Sequence, residues 1–168
     1  MKLKQLISII MMILILVISG CAPSQVCPKE GEEAPNFTLQ NIDGQNVRLT
    51  DFRGKIVIIY LWATTCKTCL ESEMPHLQSI YNKWPDNELI VLAINDSNSL
   101  KTVQDEVKKK GFTFNFLLDT QQIIRKQYVC GPGYPVIVII NPDGTYKKKT
   151  ASQPFENQQE LESWLESP

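Results

Sequence analysis

The sequence predicts an α/β domain in which helices flank a central mixed β-sheet. Three short and nearly continuous apolar runs predict buried strands, at residues 55–63, 89–95 and 136–140. A strand covered on both faces of a sheet needs no polar side, and this explains the runs. Segments with helical spacing separate them, and Asp-Gly pairs at 43–44 and 143–144 mark turns. Strands that alternate with helices are typical of this fold class.

The first half of the chain begins with a hairpin. Residues 37–39 and 47–49 are its two arms, on either side of the Asp-Gly turn. The buried strand at 55–63 follows, and then a helix is predicted over 66–84, ended by the polar stretch at 85–87. The apolar stripe of this helix consists of Leu70, Met74, Leu77, Ile80 and Tyr81.

The second half continues the alternation. Gly111 is a good helix stop, Asp119 can cap a helix, and the Gly-Pro-rich stretch at 131–135 predicts a rigid loop before the third buried strand. The predicted elements are strand 89–95, helix 99–110, strand 112–118, helix 119–128, strand 136–140, strand 145–150 and helix 157–166.

The N-terminus is predicted to be a leader rather than part of the fold. Lys2 and Lys4 precede an apolar run at 6–18, which is short against the ~20 residues that span a bilayer, and small residues stand before Cys21. This pattern resembles a bacterial lipobox. An uncleaved anchor helix is the alternative, and either arrangement places the domain outside the cytoplasm on the cell membrane. The predicted parts are a signal peptide at 1–20, a lipid on Cys21, a tether at 21–31 and a domain at 32–168.

Charge excludes one class of partner. The chain has 17 basic and 18 acidic residues, and removal of the leader with Lys2 and Lys4 makes the remainder slightly acidic. Because no basic face stands out, nucleic acid is not a predicted partner. No cofactor and no metal are predicted either.

Cys66 and Cys69 stand three positions apart, directly after the first buried strand. They can be a redox pair, half of a metal site or ordinary core thiols. A cysteine at the N-terminal tip of a helix meets unpaired N–H groups and the positive end of the helix dipole, which favour the thiolate. Residues at i and i+3 share a helix face, close enough for a disulfide. We therefore predict a redox pair in which Cys66 attacks a partner disulfide and Cys69 resolves the mixed disulfide.

Several motifs together resemble the membrane-tethered, thioredoxin-like TlpA and ResA family of thiol-disulfide oxidoreductases. The resemblance extends over about residues 30–168 and includes Ala34-Pro35-Asn36-Phe37, Trp62-Ala63-Thr64 before the cysteines and Glu73-Met74-Pro75 after them. It implies a thioredoxin fold with an added N-terminal β-hairpin. It also implies that Pro135 is a cis-proline beside the thiols. Tyr134 would then offer its backbone to a partner chain. Trp62 is expected to be a core residue that also walls the active site and contributes to partner binding. A trans Pro135 at an edge strand is the alternative.

The chain departs from this family near the cysteines. Thr65 stands where members usually carry Trp, and Thr68 replaces a proline. Members usually have a glutamate three positions after the second cysteine, whereas here Glu71 is two after it and Glu73 four after it. One inserted residue, accommodated as a π-bulge, explains this spacing. Glu73 is then a candidate proton acceptor for Cys69, with Glu71 or two solvated carboxylates as alternatives.

Tyr60, His76 and two further cysteines complete the candidates. Tyr60 stands six before Cys66, where cytosolic thioredoxins have a buried Asp, so that proton route is absent. His76, the only histidine, is expected to face solvent or to pack on a helix. Cys130 is a candidate disulfide partner for Cys27, a free thiol near the site or a buried filler.

Four functions fit a surface CxxC pair. Family resemblance favours a reductant that takes electrons from a membrane thiol carrier and reduces partners such as apocytochrome c. The runner-up is an oxidant that introduces disulfides into exported proteins, which a thiolate stabilised by Lys67 favours. A peroxiredoxin shares the fold, but its Pro and Thr positions are occupied here by Ile59 and Ala63. A Cu(I) metallochaperone can use two thiolates, but the chain lacks the cysteine spacing and downstream histidine of such carriers.

Overall fold

A single mixed sheet of seven strands organises the computed structural model, which describes residues 27–85, 88–129, 133–151, 155 and 157–166. The strand order is β2-β1-β5-β4-β3-β6-β7. The strands are β1 Thr38–Asn41, β2 Asn46–Arg48, β3 Ile56–Trp62, β4 Leu89–Asn95, β5 Asn115–Leu118, β6 Val136–Ile140 and β7 Tyr146–Ala151. The helices are α1 Met74–Lys83, α2 Leu100–Lys110 and α3 Gln158–Glu166, with a 3-10 turn at Leu49–Phe52 and π-helical segments at Cys69–Glu73 and Arg125–Val129.

The centre of the sheet confirms the three predicted buried strands. β3 runs parallel to β4 and antiparallel to β6, with Leu61 opposite Val136. Its alternate residues serve two different cores, because successive side chains point to opposite faces. Tyr60 and Trp62 pack with α1, α2 and α3, whereas Ile59 and Leu61 pack against the helical segment that includes Tyr128.

The predicted N-terminal hairpin is also confirmed, and it extends the sheet. β1 and β2 pair antiparallel, and β1 also pairs antiparallel with β5, so the hairpin lies at one end of the strand order. The Asn41 side chain closes the turn by accepting hydrogen bonds from the amides of Asp43 and Gln45. Gly44 has a φ of 83°, a conformation that favours glycine.

Two predicted elements differ at their ends. The predicted strand at 112–118 becomes regular only at Asn115, because the Thr113 amide donates to the Gln78 side chain of α1 at 2.8 Å. Asp119 caps the next helical turn as expected, with its carboxylate accepting from the amides of Ile123 and Ile124. That helix then continues as a π-helical segment rather than as a regular α-helix.

The N-terminal predictions fall largely outside the described residues, including the signal peptide at 1–20, the lipid on Cys21 and most of the tether. Residues 27–31 are described, and they contact the domain: the Gly31 amide donates to the Tyr146 carbonyl at 2.8 Å. This end of the predicted tether is therefore attached to the fold. Within the described ranges, every helix is too short or too polar to cross a membrane.

Candidate active site

The CxxC pair lies where β3 ends and the helix before α1 begins. The Cys66 amide donates to the Ala63 carbonyl at 3.0 Å, which closes a turn, and helical backbone starts at Lys67. Cys66 and Cys69 form a disulfide with a Cα–Cα distance of 5.3 Å, within the range that a disulfide requires. The structure therefore joins the two cysteines that the sequence singles out as a redox pair.

The two sulfurs differ in access. Cys66 is half-buried, whereas Cys69 is fully buried. The Cys69 amide nitrogen lies 3.2 Å from the Cys66 Sγ, and such a donor at a helix N-terminus stabilises a thiolate once the disulfide opens. Lys67 does not serve this purpose, because its side chain is 81% exposed and pairs with Glu71 at 3.7 Å.

Pro135 lies on the neighbouring strand connection, and the peptide bond between Tyr134 and Pro135 is cis. Because Leu61 of β3 pairs with Val136 of β6, the residue before Val136 lies beside the end of β3. Pro135 is buried and Tyr134 is half-buried. The register thus brings the cis-proline next to the strand that leads into Cys66.

Tyr134 is anchored by a buried ion pair that the sequence did not indicate. Its hydroxyl donates to one carboxylate oxygen of Asp96, and the other oxygen accepts from Arg125 Nε at 2.6 Å. The Asp96 side chain is fully buried and that of Arg125 is 18% exposed. The Arg125 guanidinium also lies 4.6 Å from the centre of the Tyr134 ring. Burial and the bond to Asp96 raise the pKa of Tyr134, so the hydroxyl remains a donor.

One loop holds both sides of the site. Asn98 Oδ1 accepts from the Thr64 amide at 3.1 Å, and Thr64 belongs to the segment that leads to Cys66. The same oxygen accepts from the Asn95 side chain at 3.0 Å. Because Asp96 lies between these two asparagines, the loop after β4 ties the segment before the cysteines to the cis-proline loop.

Asp96→Asn is expected to lower the free energy of unfolding by about 2 kcal/mol, because a hydrogen bond to a charged group contributes about that much and Arg125 loses its counter-charge. Urea denaturation measures this. Asp105→Asn is the matched control, since Asp105 pairs with Lys101 at 3.0 Å but is 66% exposed, and an exposed pair contributes little. Equal losses in the two variants would contradict the structural role of Asp96.

Glu73 is placed inside the core by the π-helical segment. The Met74 amide donates to the Cys69 carbonyl, a step of five residues that confirms the expected π-bulge. Glu73 is fully buried. Its Oε2 accepts from the Tyr60 hydroxyl at 2.5 Å, and its Oε1 is buried without a partner among the described residues. Glu71 is 58% exposed, which favours Glu73 as the candidate proton acceptor.

Burial raises the pKa of Glu73 to about 7, although the hydrogen bond from Tyr60 acts in the lowering direction. A carboxyl group with such a pKa can take and return a proton near neutral pH. Cys69 and Glu73 are the two buried residues of the π-helical segment, so both side chains lie on its core-facing side.

The remaining candidates have structural surroundings. Trp62 is fully buried and meets the ring of Phe116 edge-on at 5.9 Å, so it supports the site from the core and offers no surface to a partner. His76 is half-buried, with its ring 5.8 Å from that of Phe155. The Cys27 Sγ lies 3.6 Å from the Tyr128 carbonyl oxygen. Its pairing with Cys130 stays a prediction, because Cys130 is outside the described residues.

Metal binding has no evident site in the part of the chain that the structure describes. No group of three or more His, Cys, Asp or Glu side chains is arranged there to hold an ion.

Comparison with known proteins identifies relatives over most of the domain. Residues 30–149 match the AhpC/TSA family. The thiol-disulfide oxidoreductase ResA of Geobacillus thermodenitrificans is 35% identical over 118 residues, 70% of this chain and 67% of that protein. ResA of Bacillus thuringiensis strain Al Hakam is 30% identical, over 80% of this chain and 76% of that protein.

A solved structure shows that the fold is thioredoxin-like. The crystal structure of a thiol:disulfide interchange protein of the thioredoxin family from Chlorobium tepidum TLS superposes with a TM-score of 0.71. The match covers 83% of this chain and 97% of that one, at 20% sequence identity. The predicted fold class, including the additional hairpin β1–β2, is thus confirmed.

Proposed function

This chain belongs to the AhpC/TSA family and is a thiol-disulfide oxidoreductase of the ResA type, and from that premise we propose that it reduces protein disulfides outside the cytoplasm. It is held to the cell membrane by a lipid on Cys21. Its partners are proteins with a disulfide to be opened, apocytochrome c among them, and a membrane thiol carrier that restores its own dithiol. The observation that carries this proposal is the pairing of a half-buried Cys66 with a fully buried Cys69, which shares its π-helical segment with the buried Glu73.

The reduction runs in two exchange steps. The Cys66 thiolate attacks one sulfur of the partner disulfide; that S–S bond breaks, and the other partner sulfur leaves as a thiolate that takes a proton from water. Cys69 then passes its proton to Glu73 and attacks the Cys66 sulfur. This breaks the mixed disulfide, releases the second partner thiolate and leaves the Cys66–Cys69 disulfide. Two electrons have passed to the partner.

The cis-proline loop is the proposed docking edge for the partner. Tyr134 precedes the cis bond and lies beside the end of β3, so its backbone groups can pair with an extended stretch of partner chain. Asp96 and Arg125 hold the Tyr134 side chain, so the backbone is fixed before the partner arrives. Trp62 acts from beneath, as core support.

The exposed position of Lys67 supports a reductant over an oxidant. A cation turned toward the Cys66 thiolate would stabilise the dithiol and raise the reduction potential. The Lys67 side chain instead faces solvent and pairs with Glu71. The cationic feature on which the oxidant alternative rested is therefore directed away from the sulfurs.

We expect a reduction potential closer to that of thioredoxin, ~−270 mV, than to that of DsbA, ~−120 mV. Equilibration of the protein with redox buffers, followed by alkylation of free thiols, measures it. Lys67→Ala is the control variant and should leave the potential unchanged, because the lysine faces solvent. A potential near that of DsbA would replace the reductant with the oxidant, which introduces disulfides into exported proteins.

Peroxide reduction is a weaker fit. The peroxidase pattern needs a Pro and a Thr seven and three residues before the reactive cysteine, and Ile59 and Ala63 stand there. Both are buried apolar residues and can donate no side-chain hydrogen bond to a peroxide.

A further inference from the structure

We propose that Tyr60 is a positioning residue for disulfide exchange: its hydroxyl reaches Glu73 through the core, holds that carboxylate on the Cys69 side of the helix, and thereby governs the proton transfer by which Cys69 releases the partner. This inference rests on the proposed reductive cycle and deepens it. The Tyr60–Glu73 pair joins the middle of β3 to the π-helical segment, thirteen residues apart in sequence.

The placement of Tyr60 is dictated by the sheet. Along β3 the side chains of Ile58, Tyr60 and Trp62 enter the core beneath α1, where Cys69 and Met74 also lie. Tyr60 is fully buried, and a buried hydroxyl without a hydrogen-bond partner is costly. Its partner in this core is Glu73, with 2.5 Å between the two oxygens.

Glu73 depends on the same bond. Both of its oxygens are removed from solvent, and Oε2 is the one with a hydrogen-bond partner, while Oε1 has none among the described residues. A carboxylate needs at least one donor to persist in an apolar core. Tyr60 supplies that donor, and Oε1 is left as a buried oxygen that can accept a proton.

The π-helical segment explains why Glu73 faces inward. The helix accommodates an extra residue between Cys69 and Met74, which leaves Glu71 and Ser72 exposed and turns Glu73 into the core. Cys69 and Glu73 are the two buried residues of this segment. The local insertion and the distant tyrosine thus act on the same side chain.

The electrostatic effect of Tyr60 has a definite sign. Burial raises the pKa of Glu73, and the Tyr60 hydrogen bond opposes that rise. The pKa of Tyr60 itself is held well above its ordinary value by burial and by the Glu73 charge, so the phenol keeps its proton and remains a donor. Removal of the hydroxyl should therefore raise the pKa of Glu73 further and leave less carboxylate at neutral pH.

Other titratable groups near this pair face elsewhere. On the helix of Glu73, Lys67 and Glu71 pair with each other in solvent, and the His76 ring packs on Phe155. From the neighbouring elements, Glu162 of α3 lies 3.7 Å from Lys83, and Lys147 of β7 donates to the Leu165 carbonyl. Tyr60 is the titratable residue that β3 turns toward Glu73.

The test separates the two exchange steps across pH. A peptide with a single disulfide is mixed with the reduced protein, and acid-quenched samples are analysed by mass for the mixed disulfide and for released peptide. We expect Tyr60→Phe to form the mixed disulfide within about twofold of the normal rate. Resolution of the mixed disulfide at pH 7 should be about tenfold slower. The pH at which the resolution rate is half-maximal, called the pH midpoint, should rise by about one to two pH units, because one donor to a charged group is lost.

Two further variants fix the interpretation. Glu73→Gln should slow resolution by about 100-fold, in keeping with the loss of a general base, and should abolish the pH midpoint. Tyr60→Phe added to Glu73→Gln should then have no further effect. Tyr81→Phe is the matched control and should behave as the parent protein, because Tyr81 of α1 packs edge-on against Phe114, just before β5. An unchanged midpoint in Tyr60→Phe, or an undiminished effect in the double variant, would overturn the proposal.

A milder substitution covers the case in which Tyr60→Phe does not fold. Fluorotyrosine at position 60 retains the hydroxyl as a stronger donor, so the pH midpoint should move downward; no movement would count against Tyr60.

Failure of the reductive function is recognised separately. If the protein oxidises dithiol peptides instead, the same variants are measured in that direction, where Glu73 must return a proton to Cys69, and the shift of the midpoint still decides the role of Tyr60.

Discussion

Replacement of Cys69 by alanine is expected to convert the protein into a trap that keeps its partner as a mixed disulfide on Cys66. The half-buried Cys66 can still attack a partner disulfide, but the sulfur that would displace the partner is gone. The same change at Cys66 should abolish attack altogether, because Cys69 is fully buried. Turnover should be lost in both variants, while the mixed disulfide accumulates only in Cys69→Ala.

Intact-protein mass after incubation with an excess of disulfide peptide measures the trap. We expect nearly complete adduct formation for Cys69→Ala and none for Cys66→Ala, with the double alanine variant as the blank. In cells, the proteins captured by Cys69→Ala would identify the partners, and apocytochromes among them would support the proposed direction. A larger adduct on Cys66→Ala than on Cys69→Ala would reverse the assigned roles of the two cysteines.

Local patterns in the sequence were sufficient for most of the fold and for the reacting atoms. The buried strands, the capping by Asp119 and the CxxC pair all depend on residues within a few positions of one another, so spacing alone reveals them. The π-bulge needed, in addition, the glutamate spacing of the family that the chain resembles. The cis bond at Pro135 came instead from family resemblance. The position of Pro135 next to the strand that leads into Cys66 depends on the pairing of β6 with β3, which no local pattern predicts.

The ion pair that anchors Tyr134 could not be predicted, because the residues involved converge from distant segments. Asp96, Arg125 and Tyr134 come from the end of β4, a π-helical segment and the cis-proline loop. Which carboxylate meets which cation follows from the order of strands in the sheet, and not from sequence distance. Tyr60 has a visible signal in the sequence, a polar atom inside an apolar strand, but the sequence does not indicate which residue that atom meets. The structure shows that its hydroxyl serves the glutamate of the inserted turn.

Glu73 should make the oxidised protein less stable as pH rises. Its pKa is raised from 4.5 to about 7 in the folded state, so between these values the folded protein retains a proton that the unfolded chain has lost. The stabilisation is complete below pH 4.5 and is lost as pH rises through about 7. This interval corresponds to about 3 kcal/mol. Urea denaturation at pH 4 and pH 8 should show that loss relative to Glu73→Gln, whose amide does not titrate.

Glu71→Gln is the matched control, because Glu71 lies two residues away but is mostly exposed. In this variant the free energy of unfolding should fall between pH 4 and pH 8 by the same amount as in the parent protein. If the parent and Glu73→Gln lose stability equally between these pH values, Glu73 is not buried as a titrating acid. If the loss is confined to the parent, the core tolerates a carboxylate that weakens it at the pH where the proposed exchange operates. A glutamine or an apolar residue at this position would avoid that cost, so the presence of a titrating acid in the core supports the proposed role of Glu73 in proton transfer at Cys69.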